Sequence, residues 1–220
     1  MKTRGGSQLS GCWESYYASL KRIPKKLKTK AKFITEAVPA LKRRKVQRVL
    51  DLGCGAGRHA INLAKCNFEV IGVDISRSAL KLARKWARQE KLKNVAFLQA
   101  TMTDMPFSSE QFDAVISVSV IHHALKKDID ETISEIHRIF RKNGLFLANL
   151  ASVNDPRCGV GAMVEPNTFK TPEAYEQKRF EELHHYFTED EVVSLFASFS
   201  KTTVEPMRDR PRYWKVMAVK

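Results

Sequence analysis

Asp51, the glycines at 53, 55 and 57, and the acid at 74 are the residues whose types and spacing speak most directly of chemistry. The apolar pair Val49-Leu50 leads into Asp51, and the run continues Leu52-Gly53-Cys54-Gly55-Ala56-Gly57. An apolar run that ends in a glycine-rich turn reads as a buried strand followed by a sharp bend. Glycine removes the Cβ and tolerates positive φ, so a ligand can lie against the main chain there. Arg58 to Lys65 has helical composition, which puts a helix N-terminus beside the turn. Phe68 to Val73 reads as a second buried strand and ends at Asp74. An acid about 20 positions after the glycine turn, at a strand's carboxyl end, is placed to accept hydrogen bonds from ribose hydroxyls. The ordered set of strand, Gly-x-Gly-x-Gly, helix, strand and Asp thus predicts a nucleoside-bearing ligand.

Two kinds of ligand fit. The dinucleotide fingerprint Gly-x-Gly-x-x-Gly/Ala, counted from Gly53, puts the bulky Arg58 at its last position. Counted from Gly55 it puts Ala60 there, a formal match that keeps a nicotinamide-dependent oxidoreductase open. Against it, the chain offers neither an evident second domain nor a catalytic Tyr-x-x-x-Lys after the glycine turn.

Val-Leu-Asp-Leu-Gly-Cys-Gly-Ala-Gly followed by Gly-Val-Asp-Ile-Ser resembles the S-adenosylmethionine-dependent methyltransferases of the Rossmann-like class, closely over residues 48–150. The resemblance implies an α/β fold: a mostly parallel seven-stranded sheet with helices on both faces, preceded by a helical extension. It implies S-adenosylmethionine as cofactor. Asp51, Gly53, Cys54, Gly55 and Gly57 would face its methionine part, and Asp74 with Ile75 its ribose. Asp104 would reach the adenine amino group, Met105 would cover the ring, and backbone carbonyls at Ser117 and Val118 would meet the methionine amino group. His122 and His123, after the fourth strand, would stand where the acceptor reaches the methyl, as general base or acceptor ligand. A cofactor-binding partner subunit without catalysis is a further alternative.

Absences narrow the acceptor. No Asn/Asp-Pro-Pro-aromatic follows the fourth strand, which disfavours base amine methylation, and no Pro-Cys nucleophile argues for cytosine C5. Phe112-Asp-Ala-Val-Ile-Ser-Val-Ser-Val-Ile-His-His123 resembles both small-molecule or quinone methyltransferases and the enzymes that esterify a carboxymethyl group on wobble uridine in tRNA. The acceptor, small molecule or tRNA-borne, stays open here.

The elements that must position these residues are legible as periodic patterns. Val95–Leu98, Phe112–Val118, Leu145–Leu150, 201–205 and 212–219 read as the remaining strands. Helices are expected over 12–20, 29–41, 76–90, 128–140 and 188–199, with Ser76 as an N-cap and Thr188 with Glu191 as a capping box. Residues 1–10 read as disordered. Residues 151–183, with Pro156, Gly159, Gly161, Pro166 and Pro172, read as a long irregular excursion over the substrate.

Charge divides the chain. Residues 1–48 carry 14 Lys and Arg against Glu14 and Glu36, whereas the remainder is nearly neutral out of a net charge of +14. The expected organisation is a basic helical extension (1–47) and a methyltransferase domain (48–220), with possible polyanion contact through 21–45. Cys12, Cys54, Cys66 and Cys158 lack Cys-x-x-Cys spacing, which argues against a disulfide framework or a zinc site and for a reducing cytoplasmic setting. No apolar run approaches a membrane span, and no metal ligands stand out.

Overall fold

The computed structural model describes residues 7–175 and 178–220. Three helices lead: α1 (Ser7–Ala18), α2 (Lys25–Lys28) and α3 (Lys32–Arg43). Strands β1 (Arg48–Leu52), β2 (Glu69–Asp74), β3 (Val95–Gln99) and β4 (Phe112–Val118) then alternate with α4 (Arg58–Lys65) and α5 (Arg77–Gln89). After α6 (Lys126–Ile139) come β5 (Phe140–Ala151), β6 (Ala162–Glu165), β7 (Thr168–Tyr175) and β8 (Lys178–His185). The chain closes with α7 (Glu189–Leu195), β9 (Lys201–Pro206) and β10 (Tyr213–Val219).

The seven-stranded sheet has the order β3-β2-β1-β4-β5-β10-β9, and β10 runs antiparallel to both its neighbours. Chain order reverses between β1 and β4, which opens a ligand crevice at their carboxyl ends. Period-2 alternation decides what β1 shows to each face. Leu50 and Leu52 join the core with Ile129, Ile133 and Phe196 of the α6/α7 side. Val49 joins the other core with Phe33, Ile34 and Leu41 of α3 and Leu63 of α4. Asp51 shares that second face, so its carboxylate meets the start of α4.

Both N-caps form: Ser76 Oγ accepts from Ala79 N, and Thr188 Oγ1 accepts from Glu191 N; the expected capping box is half made, since Glu191 Oε1 pairs with His185 Nε2 at 2.9 Å. Several boundaries differ. Ser7–Ser10 are helical, where disorder was expected; residues 1–6 lie outside the described residues. Helix α2 was not foreseen, because its four residues, KKLK, carry no apolar period. The excursion is not irregular. Strands β6, β7 and β8 form a three-stranded antiparallel sheet, with Pro172 inside β7 opposite Glu181. Strand β5 begins at Phe140 rather than 145, because Phe140 already pairs with Phe112 before a register shift.

Candidate cofactor and acceptor site

The glycine turn sits at the crevice. Gly53 and Gly55 have φ of +67° and +54°. A Cβ on Gly53 would lie 2.2 Å from Val120 Cγ2, and one on Gly55 2.4 Å from Tyr17 Oη. Neither position accepts a side chain, because the turn after β4 closes on one and α1 on the other. Asp74 braces the turn: its Oδ2 accepts from Gly55 N at 2.7 Å and its Oδ1 from Ser76 N at 2.9 Å. Burial raises its pKa above the usual carboxylate range. Asp51 is 1% exposed and accepts from Ala60 N at 2.9 Å; burial lifts its pKa to about 7. Met105 is buried, while Asp104 is exposed. Ser117 Oγ is buried without a hydrogen-bond partner among the described residues. A cradle that only glycine fits, an acid at the end of β2 and an orphaned hydroxyl at the end of β4 together suit S-adenosylmethionine.

Helix α1 roofs this cradle. Tyr16 and Tyr17 are buried, and burial, reinforced by Asp74, raises the Tyr17 phenol's pKa well above 10. Glu14 docks the helix onto α5. Ser76 Oγ (2.8 Å), Ser78 Oγ (2.6 Å) and Ser78 N (3.1 Å) all donate to its carboxylate, and the Ser78 hydroxyl leads in holding its pKa below the ordinary value. The sequence reading missed Glu14; an acid on a leading helix gives no signal of what it will cap.

His122 and His123 lie beyond β4, beneath β8. His185 N donates to His122 O at 2.7 Å, which ties the two segments. The pairing brings His184 to the same place: its ring centroid is 4.4 Å from that of His123 and 5.6 Å from that of His122, and His122 and His123 are 4.3 Å apart. Burial first, then neighbouring positive charge, holds all three imidazoles below their normal pKa, His184 at about 3. They are neutral at pH 7 and weakly basic. Trp13 of α1 sits edge-on to His123 at 5.8 Å, and Tyr213 lies 5.8 Å from His122. Arg157, within reach of Tyr213 Oη at 3.4 Å, is neutralised by Asp155 through Nε (3.1 Å) and Nη2 (2.9 Å). His184, Glu182, Arg157 and Tyr213 were not legible as site residues, since each reaches the site through strand pairing or loop return.

A family model for a methyltransferase domain matches residues 43–198. The chain belongs to this family. That assignment displaces the nicotinamide alternative and makes S-adenosylmethionine the cofactor. An uncharacterized methyltransferase of Bacillus subtilis, YcgJ, is 33% identical over 100 residues, covering 46% of this chain and 39% of that protein. The ubiquinone biosynthesis O-methyltransferase of Alkalilimnicola ehrlichii is 34% identical over 96 residues, 43% of this chain and 36% of its own length. The chain thus matches well under half the length of these curated relatives. The Burkholderia thailandensis 1,6-didemethyltoxoflavin-N1-methyltransferase, solved with its acceptor and S-adenosylhomocysteine, shares the fold at a TM-score of 0.63. It is 19% identical, with 96% of this chain and 87% of that one covered. Among the described residues no helix is long and apolar enough to cross a membrane.

Proposed function

We propose that this protein transfers a methyl group from S-adenosylmethionine to an oxygen or nitrogen of a small molecule. One observation carries the small acceptor: the space beyond β4 is closed by the chain itself. His184 of β8 and Tyr213 pack on His122, which is 1% exposed, and Trp13 packs on its neighbour His123. The ubiquinone O-methyltransferase relative acts on a small acceptor, which supports the reading. The proposal includes a basic extension (1–47), a methyltransferase domain (48–220) and a cytoplasmic setting.

The cofactor supplies a methyl group already activated by its sulfonium, so the chain's work is chiefly alignment. Asp74 and the turn at Gly53–Gly57 hold the donor. Val120, packed on Gly53, sets the distance between the turn and the end of β4. The neutral imidazoles of His122, His123 and His184 present lone pairs to the acceptor side. Burial lowers their basicity, so they suit orienting an acceptor better than deprotonating one.

A second reading has its own support. An open cleft of about 710 Å³ beside α1 and α2 is lined by Lys21, Arg22, Lys25 and Lys28, among others, a surface suited to phosphates of a tRNA-borne acceptor. Incubating the protein with methyl-labelled cofactor and fractionated cell extract separates the two. Label in the small-molecule pool is expected. Label in RNA overturns the small acceptor, and no label in either pool leaves a cofactor-binding partner subunit.

A further inference from the structure

The six histidines of the chain are not alike. His59 Nε2 accepts from Ala31 N at 3.1 Å. His185 is bonded at both ring nitrogens, to Thr168 Oγ1 at 2.7 Å and Glu191 Oε1 at 2.9 Å. These two are satisfied interior histidines. His122 is as buried as they are, yet neither of its ring nitrogens has a hydrogen-bond partner among the described residues. A polar group left so in the interior is costly, and calls for a partner not made of protein.

The neighbours supply the rest of a site. One ligand nitrogen from each of His122, His123 and His184 lies within 4.8 Å of the other two. His123 Nδ1 faces Leu183 O and Glu182 Oε1, both at 3.2 Å, and Glu182 is 1% exposed. That pairing places the proton on Nδ1 and leaves the lone pair on Nε2, the tautomer that a metal-binding histidine adopts when a carbonyl or carboxylate orients it.

We propose that His122, His123 and His184 bind one divalent transition ion of the zinc class, with Glu182 orienting His123 from behind. Ring centroids 4.3, 4.4 and 5.6 Å apart bracket the spacing of about 5 Å expected for imidazoles around a tetrahedral ion with bonds near 2.0–2.1 Å. Drawing the three nitrogens onto such an ion requires shifts under about 1 Å each. Imidazole ligands suit zinc, copper or nickel rather than magnesium or calcium. Three protein ligands leave a fourth position open. Resting on the small-acceptor reading, that position takes the acceptor's oxygen or nitrogen and points it at the methyl group.

The test uses the full chain without a polyhistidine tag. After chelator dialysis, cobalt(II) is titrated in and its visible absorption followed, with zinc(II) as competitor. One ion per chain with tetrahedral absorption is expected. His137→Gln, outside the cluster, retains it; His122→Ala and His184→Ala each lose it. Glu182→Gln weakens it by about 10–100-fold. Absence of saturable binding overturns the proposal, and so does unaltered binding by His184→Ala, which would mark an adventitious ion only. If the alanine variants do not fold, X-ray absorption of the zinc-loaded wild type decides: three imidazole nitrogens uphold the site, and a water or thiolate sphere removes it. Metal binding without methyl transfer would sink the acceptor reading and keep the site. Methyl transfer to small molecules by protein that binds no metal would do the reverse.

Discussion

Replacing Asp74 tests the cofactor half of the site most directly. Its carboxylate accepts from Gly55 N at 2.7 Å and Ser76 N at 2.9 Å, so it already shapes the cradle. In the proposed complex its remaining lone pairs take the ribose hydroxyls. A hydrogen bond to a charged group contributes about 1.5–3 kcal/mol net. Loss of one such bond weakens binding by roughly 10–150-fold, at 1.4 kcal/mol per factor of ten. Asp74→Ala should therefore lower affinity for S-adenosylmethionine at least tenfold, and Asp74→Asn, which keeps one acceptor oxygen, by less. S-adenosylhomocysteine should lose a similar factor, because the ribose is common to both. Calorimetric titration gives the affinities, and thermal unfolding checks that the cradle persists. A change below twofold with an unaltered melting curve would refute the assignment of Asp74 to the ribose.

The other predictions concern charge and docking. Asp51 has its folded pKa raised from 3.8 to about 7, so its favourable contribution is complete below pH 3.8 and is lost as pH rises through 7. Asp51→Asn, whose amide oxygen can still accept from Ala60 N, should remove that loss. Denaturant unfolding at pH 6 and pH 8 should show a smaller difference for the variant than for the wild type. Glu14 has its pKa depressed, so the docking of α1 is strongest above pH 4.5 and weakens as pH falls through the lower folded value. Glu14→Ala should raise hydrogen exchange in α1 while the sheet stays protected; unchanged exchange in α1 would remove Glu14 as the tether. Replacing Lys25, Lys26 and Lys28 by Gln should flatten the salt dependence of any tRNA binding by up to about three units of log–log slope, at roughly 0.7–0.9 per phosphate contact, with cofactor affinity unchanged.

The frame of the proposed cofactor half was legible because it is local. Residues 49–74 run as strand, turn, helix and strand, and both strands carry apolar runs buried in a parallel sheet. The caps at Ser76 and Thr188 were legible for the same reason: a hydroxyl and the N–H it serves lie three residues apart. The excursion was not. Thr168 to His185 mixes Pro172, Lys170 and three glutamates into its strands, since a small sheet lying over a domain need bury only one side. His122 and His123 could be picked out as candidates, but His184 stands 61 residues on from His123 and reaches it only through the return of β8.

Locality also explains how the two halves of the site are coupled. The proposed donor side is built from one continuous stretch, whereas the proposed acceptor side is assembled from α1, the turn after β4, β8 and the first residue of β10. Helix α1 touches both. Through Glu14 it holds the N-terminus of α5 beside Asp74, through Tyr17 it covers Gly55, and through Trp13 it meets His123. A donor lying along the glycine turn must displace or repack Tyr17, and any shift of α1 also moves Trp13 against the histidines. Donor binding and the shape of the acceptor chamber are therefore linked through one short helix. Changes along α1 should alter acceptor preference and cofactor affinity together, whereas changes in β6-β7-β8 should alter acceptor preference alone.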